Sequence, residues 1–123
     1  AVGSSGMAET LGSTSSIYNI SVYFAAQQAA GTKIEIKNSN DEVLTSFVLT
    51  GTFIYDHSTS RCTNVSCTTT IYNDQWKFTS TSATKSGISA NGSYTAKRYV
   101  LGIEMESVSH TITISCDAHG NVY

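Results

Sequence analysis

Three cysteines and three histidines carry the most distinctive chemistry in this 123-residue chain. Four residues separate Cys62 from Cys67, and His119 follows Cys116 after two residues, spacings close to those of structural zinc sites. The flanking sequences lack the Gly-rich knuckles usual at such sites, and the overall composition is that of a secreted protein, in which thiols oxidise. We therefore predict no metal site and no cofactor, and we interpret the cysteines as disulfide partners.

Residues suited to catalysis are few. Glu104 and Glu106 would share one face of a strand with their Cβ atoms about 7 Å apart, a spacing that acid/base chemistry could use but that many solvated strands also show. Two acid and histidine pairs occur, Asp56 with His57 and Asp117 with His119, but neither accompanies a nucleophile motif such as Gly-x-Ser-x-Gly. The sequence therefore predicts a protein that is not an enzyme.

The composition points to an extracellular β protein. Charged residues make up 13% of the chain and the net charge is -2, so no basic stripe is present to bind nucleic acid or an anionic membrane. Ser and Thr are abundant, at 19 and 17 residues, as on the strand surfaces of secreted β proteins. No apolar run approaches the length of a membrane span. We predict a secreted protein, extracellular or on the cell surface.

Residues 107–116 show the clearest strand pattern. Val108, His110, Ile112, Ile114 and Cys116 alternate with Ser and Thr, which is the period of a half-buried strand. One face of this strand would be core and the other a hydroxyl-covered surface. A lone histidine on a core face is usually a hydrogen-bonded structural residue, so we expect that role for His110.

The rest of the chain predicts an all-β fold. About eight short strands recur at intervals of roughly 10 residues, the pattern of a two-sheet antiparallel β-sandwich, immunoglobulin-like or jelly-roll-like. Residues 25–30 have helix propensity and predict a helical turn or a bulged crossing. Gly51 predicts a bulge or a bend where the chain changes sheet. Gly87 and Asn91-Gly92 bound the next predicted turn region, in which Asn-Gly is a strong hairpin signal.

The first sixteen residues differ from the remainder. They are mainly Gly, Ser, Thr and Ala, with larger apolar side chains only at Val2, Met7 and Leu11. Such a segment cannot bury enough surface by itself to offset the entropy of ordering it. We predict an extended N-terminal arm over residues 1–16, contacting another copy through those three side chains, and a single sandwich domain over residues 17–123. The opening residues fit a mature terminus left by cleavage, or alternatively a short added leader ahead of Met7.

Several short motifs in the second half of the chain resemble a known group of proteins. They are Gly51-Thr52-Phe53-Ile54-Tyr55, Cys62-Thr63, Ile71-Tyr72-Asn73-Asp74-Gln75-Trp76, Val100-Leu101-Gly102, and a last strand closing on Cys116 with Gly120-Asn121. Together they resemble a loose group of small secreted all-β proteins of Gram-positive anaerobic bacteria, which carries no assigned activity. The resemblance implies secretion and a disulfide between Cys62 and Cys116. Cys67 departs from that pattern.

The residues themselves leave a second pairing open. Val65, Cys67 and Ile71 share a strand face and Cys116 points to the core, so a bond between Cys67 and Cys116 is also compatible with the pattern. Either bond would close a long loop, worth about 4 kcal/mol in the chain-entropy view. The third cysteine is then a buried small hydrophobic residue or a link to a neighbouring copy, and Cys67 is the candidate for that intermolecular thiol.

The sequence supports two candidate functions. The first is a structural subunit that builds a homopolymeric filament by donating its N-terminal strand to the next copy, because sixteen extended residues reach about 50 Å and a domain of this size is only about 35 Å across. Having no Pro, the chain lacks one device that protects sheet edges. The alternative is a carbohydrate- or surface-binding module with a glycan ligand. We expect Trp76 in the core with Phe78, and Tyr18, Tyr23 and Tyr99 as exposed platforms.

Overall fold

The structure, a computed structural model, describes the backbone of residues 12–22 and residues 26–123 with their side chains. The described part contains seven β-strands and no helix. The strands are β1 (Gly12–Val22), β2 (Gln27–Lys37), β3 (Val43–Tyr55), β4 (Ser60–Ile71), β5 (Trp76–Ser86), β6 (Ser89–Val100) and β7 (Ile103–Ser115).

The strands form two antiparallel sheets. One sheet has the order β1-β2-β3-β4 and the other the order β5-β6-β7. The predicted all-β fold with two antiparallel sheets is confirmed, with seven described strands rather than about eight. Neighbours in each sheet are consecutive in the chain, whereas immunoglobulin-like and jelly-roll folds use Greek-key connections. That finer assignment is not confirmed by the described strands.

Period-2 alternation on the inner faces builds one core between the two sheets. Phe47, Leu49 and Phe53 on β3 point inward and are fully buried, while Val48, Thr50 and Thr52 between them are partly exposed. Across the gap, the ring of Tyr94 on β6 packs against Phe47 with centroids 4.9 Å apart. Trp76 is also buried in this core, as predicted.

The strand predicted from residues 107–116 is confirmed as the second half of β7. Val108, Ile114 and Cys116 are buried and His110 and Ile112 are partly buried, whereas the Ser and Thr residues as far as Thr113 are exposed. Ser115 is an exception, because it is covered where the chain turns back. The alternation in the sequence therefore marks the core face of this strand correctly.

The hairpin turn predicted at Asn91-Gly92 is wrong because Gly92 lies inside β6, and Gly51 likewise lies inside β3, each facing the opposite sheet at close range. A Cβ atom on Gly51 would lie 2.8 Å from the Cβ of Ala90, and one on Gly92 would lie 2.9 Å from a methyl group of Leu49. Gly51 is therefore not a change of sheet, but a bulge lies close by, where Thr63 is the extra residue of β4 opposite Thr52 and Phe53. The hairpin between β5 and β6 turns at Gly87, the other glycine of the predicted turn region, whose φ is 58°.

The helical turn predicted at residues 25–30 is also wrong for the described part of that segment. Strand β2 begins at Gln27 and runs through the Gln-Ala sequence, with Gln28 and Ala30 buried. The segment is too short to form a stable helix by itself. Pairing with β3, which places Ala30 opposite Gly51, satisfies its backbone instead.

Candidate functional site

Cys62 and Cys116 lie beside the same turn, and Cys67 lies further along β4. Cys62, Cys67 and Cys116 are free thiols, the first and last buried and Cys67 partly buried. The backbone amide of Cys62 donates to Gly87 O at 2.8 Å, and that of Cys116 donates to the next carbonyl, Ile88 O, at 3.1 Å. Cys62 and Cys116 therefore flank the same turn between β5 and β6. The disulfide between them stays a prediction.

A bulge in β4 explains why the even and odd positions of the cysteines leave two disulfide pairings open. The register between β3 and β4 shifts after Thr52, so that Phe53 faces Cys62 while Thr52 faces Asn64. The extra residue lets Cys62 and Cys67 both turn inward although one is even-numbered and the other odd-numbered. Five residues of strand nevertheless separate them by about 16 Å along β4. Cys62 is thus the better placed partner for Cys116.

The two buried thiols have little capacity for reaction or for metal binding. Burial raises the pKa of the Cys62 thiol and that of the Cys116 thiol. The thiolate is the form that attacks electrophiles and ligates metals, so a raised pKa disfavours both roles at neutral pH. Gln28 Nε2 lies 3.7 Å from Cys116 Sγ, which encloses that sulfur further.

The remaining candidate residues are occupied by packing or by ion pairs. Glu104 pairs with Lys97 at 2.8 Å and Glu106 with Arg98 at 2.5 Å, so each carboxylate is neutralised by its own cross-strand partner. Tyr99 packs beneath the Lys77 ammonium group, 4.8 Å from its ring centroid. The side chains of Tyr18 and Tyr23 lie outside the described residues.

The edge of β7 away from β6, which no other described strand pairs with before Ser115, is the best candidate for a binding site. Ser115 exchanges both backbone hydrogen bonds with Tyr123, each at 2.9 Å. Because backbone groups alternate along an antiparallel strand, the odd-numbered residues of this half of β7 point their N–H and C=O groups away from β6. Val122 and Tyr123 thus begin a fourth strand beside β7, and Ser107, Ser109, Thr111 and Thr113 present the continuation of that edge.

Among the described strands, the two sheets differ in width on the side of this edge. β4 packs against β5, β3 against β6 and β2 against β7. The four-stranded sheet is therefore one strand wider than the sheet that it faces, and its extra strand is β1. The position opposite β1 is the one beside β7. Residues 107–115 contain no Lys, Arg, Asp, Glu or Pro, the residues that commonly protect edge strands.

The predicted N-terminal arm needs a new boundary. Residues 12–16 belong to β1, where Gly12 pairs with Lys37 and Ser16 with Lys33 of the same chain. They are therefore not available for donation to another molecule while β1 is formed. Val2, Met7 and Leu11, the predicted contact residues, lie outside the described residues. Any donated arm is limited to residues 1–11.

Two histidines that no motif in the sequence connects are in contact in the structure. His57 follows β3 and His119 follows β7, and their Nδ1 atoms are 3.2 Å apart. They are 62 residues apart in the chain, so no local spacing predicts the contact. The only local signal is that each follows an aspartate of the kind that closes tight turns, Asp56 and Asp117.

A groove of about 570 Å³ lies near these loops. Its lining consists of Ala26, Ile54, Tyr55, Asp56, Thr59, Ser60 and Arg61. Its lining is mainly apolar, with the ring of Tyr55 beside one acidic and one basic side chain, a composition common in small-ligand sites.

Comparisons with protein-family models, curated proteins and solved structures found no match to this chain. Among the described residues, no group of three or more His, Cys, Asp or Glu side chains is placed to hold a metal ion. The same part of the chain contains no helix with the length and apolarity needed to cross a bilayer.

Proposed function

We propose that this protein is a secreted, non-enzymatic β-sandwich subunit that builds an extracellular filament by donating residues 1–11 to the β7 edge of a neighbouring copy. The observation that carries the proposal is the mismatch, among the described strands, between a four-stranded and a three-stranded sheet, with β7 at the edge of the narrower one. Adding a strand at an open sheet edge is a common mode of protein association.

The energetics favour this mode of assembly. Each backbone hydrogen bond gained at the edge contributes about 1 kcal/mol net, and eight outward groups between Ser107 and Thr113 are available for pairing. Met7 and Leu11 have the same parity, so an extended arm would direct both side chains to the core side, beside the partly buried Ile112. Donation that does not close on itself gives a fibre.

Removing the arm tests the donor side. The full chain is expected to form polymers in light scattering and electron microscopy, and a chain lacking residues 1–11 is expected to stay folded and monomeric. Leu11→Asp should abolish polymers, because it would bury a charge. Ala8→Asp, on the opposite face of the arm, is the matched control and should polymerise.

Substituting the edge tests the acceptor side. Thr111→Pro removes an N–H group that points away from β6, so it blocks a new strand while sparing the existing sheet. Thr111→Val keeps that N–H group and is the control. A mixture of the Thr111→Pro chain with the chain lacking residues 1–11 should yield only one-to-one dimers, since one can donate and the other accept.

Two results would contradict the proposal. One is a full chain that remains monomeric at high concentration, with residues 1–11 paired to its own β7 by NMR. The other is polymerisation that the arm deletion and Thr111→Pro leave unchanged.

The second candidate function, binding of a glycan, is supported by the groove lined by Tyr55, Asp56 and Arg61. Planar aromatic rings beside polar side chains suit sugars. A glycan-array signal that is lost in Tyr55→Ala but kept in Tyr72→Ala, an exposed tyrosine away from the groove, would favour this function. No signal with the full chain would exclude it.

A further inference from the structure

His57 and His119 are placed as two ligands of one metal ion would be. Their Nδ1 atoms are 3.2 Å apart, and both side chains are exposed at the same end of the molecule. Nitrogen ligands lie about 2.0–2.1 Å from a zinc ion, so two of them in a tetrahedral site are about 3.3 Å from each other. The ring planes meet at 53°, with centroids 5.4 Å apart.

The two loops hold the histidines together through backbone contacts. The backbone N–H of His57 donates to Ala118 O at 2.8 Å, which joins the loop after β3 to the loop after β7. His57 has a φ of 71°, a conformation that is uncommon for residues other than glycine. The fold therefore orients the His57 side chain at a local conformational cost.

The carboxylates next to the two histidines, those of Asp56 and Asp117, support the loops by accepting hydrogen bonds. Asp56 Oδ1 accepts from the amides of Ser58 at 3.0 Å and Thr59 at 2.7 Å. Asp117 accepts from the His119 amide at 2.9 Å and from the Asn121 side-chain amide at 3.0 Å. The protein thus supplies two imidazole ligands and leaves the other coordination positions open to water or to a second donor.

We propose that His57 and His119 form a two-histidine site for a divalent transition-metal ion, with Zn²⁺, Ni²⁺ and Cu²⁺ as the class of ion that imidazole favours. The site shares His119 with the zinc spacing in the sequence but uses His57 in place of the cysteines. It is also independent of the β7 edge, so neither proposal depends on the other.

The proton balance of binding is simple. Without metal, one Nδ1–H donates to the other ring's Nδ1, which requires the two rings to be different tautomers. With metal, both Nδ1 atoms ligate and both rings carry their proton on Nε2. Neutral rings therefore release no net proton, whereas imidazolium at lower pH must lose its proton before it can bind.

The test is calorimetric titration of the full chain with ZnCl₂ and NiCl₂ at pH 7.5, in a Cys67→Ser background that removes the least buried thiol. We expect one equivalent bound, and at least tenfold weaker binding in His57→Asn and in His119→Gln. Asn is chosen at position 57 because it tolerates positive φ. His110→Gln is the matched control, because it also leaves two histidines but keeps the pair, and it should bind as tightly as the parent.

Chelation predicts that each single variant loses nearly as much affinity as the double variant, since one imidazole alone gives no bidentate site. Thermal unfolding without metal should show that all variants are folded. No binding at millimolar metal would overturn the proposal. Equal binding in the double variant would also overturn it, because the metal would then be held elsewhere.

Discussion

The hydroxyl group of Tyr94 is buried in the core without a hydrogen-bond partner among the described residues. Its side chain is 3% exposed and its hydroxyl group makes no hydrogen bond among the described residues. Burial also raises the pKa of this phenol, so it stays neutral at any physiological pH. Leaving such a group unpaired costs about 1–3 kcal/mol, while the ring itself packs edge-on against Phe78 with centroids 5.5 Å apart.

Tyr94→Phe is therefore expected to raise the free energy of unfolding by about 1 kcal/mol, because it removes the unpaired hydroxyl and keeps the ring. Urea denaturation measures the change. Tyr94→Leu is the control, and it should destabilise the protein because the aromatic contacts are lost. Destabilisation by Tyr94→Phe would show that the hydroxyl has a partner outside the described residues.

His110 links stability to pH through its burial, which lowers its pKa from the ordinary value of 6.5. Below that value the unfolded chain takes up a proton more readily than the folded chain, so the free energy of unfolding falls as the pH drops toward the lowered folded pKa. We expect stability to decrease between pH 7 and pH 5, and His110→Gln to reduce that decrease. An unchanged slope in His110→Gln would contradict this role.

At the scale of elements, the spacing between the sheets depends on small residues. Gly51 on β3 faces Ala90 on β6, and an added Cβ would approach Ala90 to 2.8 Å and the Phe53 ring to 3.0 Å. Real Cβ atoms do not approach so closely, so the sheets would have to separate locally. Overpacking of this kind typically costs about 1–3 kcal/mol.

Gly51→Ala is thus expected to lower the free energy of unfolding by about 2 kcal/mol. Ala90→Gly in the same chain should recover part of this loss, because it removes one of the two clashes but not the Phe53 contact. A double-mutant cycle measured by denaturation gives the coupling directly. Additive effects in the two variants would show that these strands do not limit each other's approach.

At the scale of the whole molecule, residues Gly87 and Ile88 connect distant parts of the chain. The turn between β5 and β6 accepts hydrogen bonds from Cys62 near the start of β4 and from Cys116 after β7. The side chain of Gln28 on β2 lies beside Cys116 and donates to Gly120 O. A covalent bond there would connect both sheets at a single point.

We expect the three thiols to react at different rates with a maleimide. Cys67 should react first, while Cys62 and Cys116 should react on the timescale of unfolding, because both are buried and their pKa values are raised. Mass spectrometry of labelled peptides measures the order.

Oxidation should then form the Cys62–Cys116 bond and raise the unfolding temperature. The free energy of unfolding should rise by about 4 kcal/mol if the bond acts mainly by restricting the unfolded chain. Cys67→Ser is the control and should show the same gain. Formation of a Cys67–Cys116 bond in the folded protein would contradict the placement of Cys67 along β4.

Much of the fold is predictable because strand alternation is local. The pattern at residues 107–116 identifies the core face of β7, and Trp76 and Phe78 are correctly placed on one side of β5. Gly92 misleads because glycine signals both turns and close packing, and only the facing sheet distinguishes these uses. The Gln-Ala stretch at the start of β2 misleads for a similar reason, since pairing with β3 overrides its helix propensity.

The sequence by itself determined the class of fold and the buried face of β7, because both depend on the order of apolar and polar residues along a short stretch of chain. Only the tertiary structure decided which distant residues meet. The contact between His57 and His119, the turn that Cys62 and Cys116 both contact, and the unequal widths of the two described sheets each depend on the arrangement of the strands. That arrangement is set by packing across the whole core, which no local pattern encodes.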